Sequence, residues 1–292
     1  MDAPLPVPIE PQRPLGNTVP SQGGPAITVR DLRFGRTGWS RRWWLGGDPV
    51  ASAWHNALSG TFPRGEAFFI EAVKAFRDGA PPRLAAEIRA FVIQEVNHTR
   101  EHVAFNRIAT EAGYDMARVD ARVEAMMAKT RGRPKILDLA ATMALEHWTA
   151  MMAHQFLSRP QYFAGADPQI ARMWQWHAIE EIEHKGVAFD TWLHATREWP
   201  AGKRWRVRAL MMAVVTWHFL RHRFADGLDL LGQDGIPRWK ARVKLGWYLW
   251  VKPGVLRRIV PDWLRFFRPG FHPWDVDDRH LIGAAEQALQ DA

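Results

Sequence analysis

The chain has no cysteine. That excludes disulfides, iron–sulfur clusters, thiolate zinc sites and cysteine nucleophiles, and it leaves His, Asp and Glu as the strong metal ligands. Tyrosine is nearly absent, with Tyr114, Tyr162 and Tyr248 alone in 292 residues. None of the three falls on a helix face that carries the candidate ligands below, which argues against a tyrosyl-radical role. No long apolar run occurs, so no conventional membrane span is expected. The N-terminus lacks the charged-then-apolar pattern of a signal peptide, and the cytoplasm is the expected address. Acids are scarce in one region. Between Lys203 and His272 stand 15 Lys/Arg and 4 Asp/Glu, a local balance of +11 against +8 for the whole chain.

What is present suits a soluble globular chain with a large core: 47% apolar and 24% charged residues, with 16 Trp. Residues 1–26 hold seven prolines with Gly, Ser and Gln and no apolar period, and are expected to form a disordered arm. A Trp/Gly/Pro-rich lead-in follows, with a short helical turn near Ala53–Ser59. No alternating strand pattern is found, and helical periods predict helices at 64–78, 84–112, 116–130, 135–158 and 168–197. Beyond Pro200 the pattern predicts helices near 203–225, 238–252, 261–267 and 278–290. The expected organisation is an arm (1–26), a four-helix body with its lead-in (27–200), and basic, Trp-rich C-terminal helices (201–292) packed upon it.

The chemistry concentrates on four of these helices. Segment 84–112 contains QEVNHTREH, which puts Glu95, His98 and His102 at i, i+3 and i+7 on one helical face. Segment 168–197 contains WHAIEEIEH, with His177, Glu181 and His184 at i, i+4 and i+7, again on one face. Glu180 and Glu183 point away from that face and are expected to be solvated or to lie behind the ligands. Glu66 follows the FPRG turn directly. Glu146 sits in LAATMALEHWTAMMA, so apolar that its carboxylate needs a cation or a proton. Either Glu-x-x-His alone is a weak signal. The ordered set across four helices matches the di-iron carboxylate arrangement of four-helix bundles, and four carboxylates neutralise two divalent ions.

These motifs resemble a known family, the predicted metal-dependent hydrolases of bacteria. The likeness runs from about Arg42 to Trp274 through RWWLGGDP, NALSGTFPRGEAFF, FVIQEVNHTREHVAFN, LEHWTA, WHAIEEIEHKGVAFD and RFFRPGFHPWD. It implies an all-α, ferritin-like four-helix bundle with additional C-terminal helices. The ligand pattern is also similar to that of the arylamine N-oxygenases, di-iron enzymes with an additional His. Carried over by motif, the resemblance implies Glu66, Glu95, His98, Glu146, His177, Glu181 and His184 as ligands, with His177 as the additional imidazole. His102 has no counterpart in the N-oxygenase pattern, and is expected behind the ligands rather than as an eighth.

Two reaction classes suit such a site. With two iron ions it would activate O₂ to oxidise an apolar or lipid-like small molecule, the reading favoured here because His/Glu donors inside a helical bundle resemble oxygen-activating sites. With zinc or manganese a bridging hydroxide could hydrolyse an ester, amide or phosphoester. An iron-binding, ferritin-like protein is the non-enzymatic alternative. Glu146 and, one turn later, Thr149 are the candidate catalytic residues, Thr149 as a hydrogen-bonding group for a metal-bound oxygen.

The basic end mixes Lys/Arg with Trp205, Trp217, Trp239, Trp247, Trp250 and Trp263. Trp with basic residues favours a membrane–water boundary, so residues 203–268 are candidates to meet an anionic surface at the inner face of the membrane. The plainer alternative is a basic surface packed on the bundle. No nucleic-acid motif accompanies the charge, and no nucleic-acid partner is expected.

Overall fold

The computed structural model describes residues 18–19, 24–34 and 41–290, and its architecture is all-α. Prolines punctuate it, because a fixed φ suits a helix start and the missing N–H costs nothing there. Helix α1 (Pro49–Ser59) begins at a proline with Asp48 accepting from the N–H groups of Val50 and Ala51. Helices α2 (Phe62–Lys74), α3 (Pro82–Glu111), α4 (Ala117–Ala128) and α5 (Lys135–Ser158) follow. Helix α6 (Pro168–His184) is capped by Asp167, and α7 (Val187–Ala195) continues from it. The remainder is α8 (Ala201–Gln233), α9 (Arg238–Trp250), α10 (Val255–Arg265) and α11 (Arg279–Gln290).

Packing places α2 against α3 and α5, and α6 against α5 and α3, so four helices close a ring around a buried centre. Of the four, α5 is the most hidden: it buries its whole LAATMALEHWTAMM run except the half-buried Leu145. Helix α1 lies between this ring and α8, α11 packs on α6 and α5, and α9 and α10 pack on α8 and α5 respectively. No helix among the described residues is long and apolar enough to cross a membrane.

Several expectations need correction. Of the arm 1–26, residues 1–17 and 20–23 lie outside the described residues. Thr18–Val19 (β1) pairs antiparallel with Ile27–Thr28 (β2), a two-stranded ribbon too short for any alternation to show in sequence. The lead-in turn near Ala53–Ser59 is a full helix, and ten of its eleven residues are buried. The single helix expected over 168–197 breaks at Lys185–Gly186. A Cβ on Gly186 would meet the Trp274 indole nitrogen at 2.6 Å, and Lys185 turns aside to bond Asp278 at 2.6 Å and the Val276 carbonyl at 2.9 Å. Helix α8 runs eight residues past its expected end, through a buried Asp226 that pairs with Arg223 at 2.7 Å and with Arg122 of α4. Helix α10 starts at Val255 rather than Pro261, anchored by buried Val255, Leu256 and Ile259 ahead of the proline.

Candidate metal centre

The ring of four helices brings every residue of the expected ligand set together. Glu66 comes from α2, Glu95 and His98 from α3, Glu146 from α5, and His177, Glu181 and His184 from α6, all buried. Their donor atoms form overlapping groups within 4.8 Å: Glu66–Glu95–His98, Glu95–Glu181–His184, His98–His177–Glu181 and Glu66–His102–His177. Glu146 joins through His184, whose Nε2 lies 3.4 Å from its Oε2. Among the described residues no Lys or Arg pairs with any of the four carboxylates.

The hydrogen-bond pattern says which atoms face inward. Gln94 donates its amide N–H to the Thr28 carbonyl and to Glu183, so its Oε1 accepts from His184 Nδ1 at 2.9 Å. His184 Nε2, a lone pair in the neutral ring and a donor only in the protonated one, points at Glu95 Oε1 (3.2 Å), Glu146 Oε2 (3.4 Å) and Glu181 Oε2 (3.6 Å). His98 Nε2 meets Glu180 Oε2 at 3.0 Å, leaving His98 Nδ1 inward and 3.9 Å from both Glu95 and Glu181. Ser59 donates to Asn106, so His102 Nδ1 donates to Ser59 Oγ and His102 Nε2 accepts from His177 Nδ1 at 2.6 Å. That leaves the His177 Nε2 lone pair facing Glu181 Oε1 at 2.8 Å. These tautomers follow from the hydrogen-bond partners rather than from resolved protons. Three imidazoles, each held at its outer nitrogen and presenting the inner one, are how proteins orient metal-ligating histidines.

Eight atoms of this centre are buried without a hydrogen-bond partner: Glu66 Oε1, both oxygens of Glu95 and of Glu146, Glu181 Oε2, His98 Nδ1 and His184 Nε2. All are acceptors or lone pairs, and lone pairs aimed at one another are costly unless a cation lies between them. The electrostatics agree. Burial drives the Glu66 and Glu95 carboxyls well above the carboxylate range, and burial with Glu181 beside it pushes Glu146 up to about 7. Burial would raise Glu181 as well, but His184 and His177 outweigh it and hold Glu181 well below. His184 is the counterpart, raised by Glu181 and Glu146 against its burial. Burial, then His177, pushes His98 and His102 well down. Four carboxylates and three inward imidazoles with no resident cation fit a pair of divalent ions.

Of the two placements expected for Glu180 and Glu183, the structure has the one behind the ligands, with both buried. Arg30, two residues past β2, donates to Glu183 at 2.7 and 3.0 Å and through its backbone N–H to Glu180 at 3.1 Å. Burial pushes Glu180 up to about 8 against the pull of Arg30. Thr99 donates to Glu66 Oε2 at 2.8 Å. His102 has both nitrogens engaged, to Ser59 and His177, and none of its atoms is left unpartnered. Thr149 donates to the Glu146 carbonyl at 2.9 Å and lines a cavity of about 20 Å³ beside His177 and Glu181. The cavity walls are otherwise apolar, with Phe62, Met152, Phe156 and Trp174 prominent, and the space suits a single water.

A family model described as "predicted metal-dependent hydrolase" matches residues 28–277. No curated protein and no solved structure matches the chain. The match favours the hydrolytic alternative of the sequence reading and lends no support to the preference for O₂ chemistry.

Proposed function

The chain belongs to the predicted metal-dependent hydrolase family, and from that premise we propose that it hydrolyses an ester, amide or phosphoester of a largely apolar small molecule. The ligands of the metal pair are Glu66, Glu95, His98, Glu146, His177, Glu181 and His184. One observation carries the assignment: the eight unpartnered inward-facing atoms, all of which belong to these residues. The metal is zinc, manganese or iron, the ions such a His/Glu set suits.

When bound, two divalent ions supply a water acidified toward neutrality and a Lewis acid for the oxygen of the scissile group. The protein's own contributions are positional. Gln94, Glu180 and His102 fix the rings of His184, His98 and His177. In the metal-free protein burial raises Glu146 to about 7, so a bound cation is what would hold its carboxylate charged at neutral pH. Thr149 spends its hydrogen on the Glu146 carbonyl, and what it offers the cavity is an acceptor lone pair. Phe62, Met152, Phe156 and Trp174 exclude bulk water and favour an apolar group next to the metals.

The test is to load the purified chain separately with zinc, manganese or ferrous iron and assay nitrophenyl esters of increasing acyl length beside O₂ uptake. Metal-dependent ester cleavage that disappears in Glu181→Ala is the expected result. O₂ consumption by the ferrous protein without hydrolysis by any loaded form would overturn it. That outcome would favour oxidation instead, a second reading supported by donors that sit on helices inside a ring rather than on loops.

A further inference from the structure

Trp is usually the residue a fold hides, and Trp54, Trp176 and Trp192 are at most 1% exposed. On the C-terminal helices the opposite holds: Trp217, Trp239 and Trp247 are 64%, 65% and 59% exposed, with Trp205 and Trp250 also open. They are not scattered. On α9, Trp239, Val243, Trp247 and Trp250 fall at i, i+4, i+8 and i+11, one stripe, and all four are exposed. On α8, Leu210, Val214 and Trp217 make a matching stripe at i, i+4 and i+7. On α10, Val260 and Leu264 do the same. Between the three helices lies an apolar groove of about 590 Å³, walled by Trp217, Leu220, Phe224, Trp250, Leu256 and Trp263. Exposed apolar groups of this number and order mark a docking surface.

Charge identifies what docks. Exposed Arg238, Lys240, Arg242 and Lys244 alternate with the Trp stripe along α9, and Lys203, Arg206, Lys252, Arg257 and Arg268, on α8, on α10 or just outside these helices, are exposed as well. The four acids of this region are already engaged with arginines: Asp226 with Arg122 and Arg223, Asp229 with Arg118, Asp234 with Arg42, and Asp262 with Arg265. The field of the face is therefore positive with no free carboxylate to offset it. We infer that the face of α8, α9 and α10 docks on an anionic lipid bilayer, its indoles seated at the headgroup level and its Lys and Arg against lipid phosphates and carboxylates. No helix among the described residues is long and apolar enough to span, so the attachment of this face is peripheral and reversible. The inference is independent of the reaction at the metal centre.

The experiment uses the full chain and vesicles of phosphatidylcholine with and without phosphatidylserine. Co-sedimentation with the phosphatidylserine vesicles, weakening as salt rises, is expected, together with a blue shift of Trp emission as the indoles leave water. The double variant Lys240→Glu, Lys244→Glu removes two exposed cations and should weaken binding at least tenfold, at about fivefold per basic residue. Trp239→Ala with Trp247→Ala should lower binding and most of the spectral shift, while the circular dichroism of both variants stays unchanged. Absence from both vesicle types at low salt overturns the inference. So does binding without a Trp shift, or a vesicle-free dimer whose formation already buries the indoles, which would make the face a contact between copies of this chain.

Discussion

Glu146 should destabilise the protein whenever metal is absent. It sits in the most apolar helix of the ring with both oxygens unpartnered, and burial raises its pKa from 4.5 to about 7. A carboxyl with a raised folded-state pKa costs nothing below its unfolded value, and the penalty grows until the pH passes the folded value. The full shift corresponds to about 3 kcal/mol, of which about 2.5 kcal/mol separates pH 8 from pH 5. Glu146→Leu removes the charge at similar size. In chelator-treated protein the variant should be more stable than the parent, by about 2.5 kcal/mol more at pH 8 than at pH 5. At roughly 2.1 cal/mol/K of unfolding entropy per residue, that difference is about 4 °C in Tm. Urea unfolding and scanning calorimetry at the two pH values measure it, with metal analysis confirming that both proteins are empty. In metal-supplemented buffer the sign should reverse, because the variant has lost a ligand. A variant less stable than the parent in the metal-free state, or a gain that does not change with pH, would refute the reasoning.

His55 is fully buried among Trp44, Phe156, Phe163 and Trp174, and burial lowers its pKa to about 4. Since the unfolded chain binds the proton first, stability should fall by about 3 kcal/mol between pH 6.5 and pH 4 on this residue alone. His55→Phe should flatten that part of the urea-unfolding profile, and identical acid profiles would contradict the assignment. Arg30→Met leaves Glu180 and Glu183 buried beside each other without their guanidinium, at an expected cost of about 3–5 kcal/mol in chemical unfolding. Arg30→Lys should recover only part of it, for want of the two-pronged geometry, and a loss under about 1 kcal/mol in Arg30→Met would refute the buried pairing.

The convergence of the candidate ligands was legible in the sequence because their spacing is a helical spacing. Glu95 to His98 and His177 to Glu181 to His184 each stay on one face whatever the tertiary structure. The groups that aim these ligands were not legible. Ser59 reaches His102 from 43 residues away and Gln94 reaches His184 from 90, so no local pattern joins them. The helix break at Gly186 was hidden for the same reason: a lone glycine reads as a tolerated helix residue until Trp274 arrives against it. Conversely, the helical period reads only to 225, and the arginines of α4 and α8 make Asp226 an interior residue of a longer helix. The exposed Trp stripes were visible as composition, while their openness to water depends on which faces α8, α9 and α10 turn inward.

Arg30 has partners at very different distances along the chain. Its guanidinium and backbone bind Glu180 and Glu183, 150 and 153 residues later, and the same guanidinium also reaches Glu286 of α11, 256 residues later. During synthesis Arg30 leaves the ribosome long before Glu286. The helix that carries three of the seven proposed ligands therefore receives its outer clasp only once α11 has emerged. In a chain cut before α11, Arg30 would keep Glu180 and Glu183 and lose Glu286 alone.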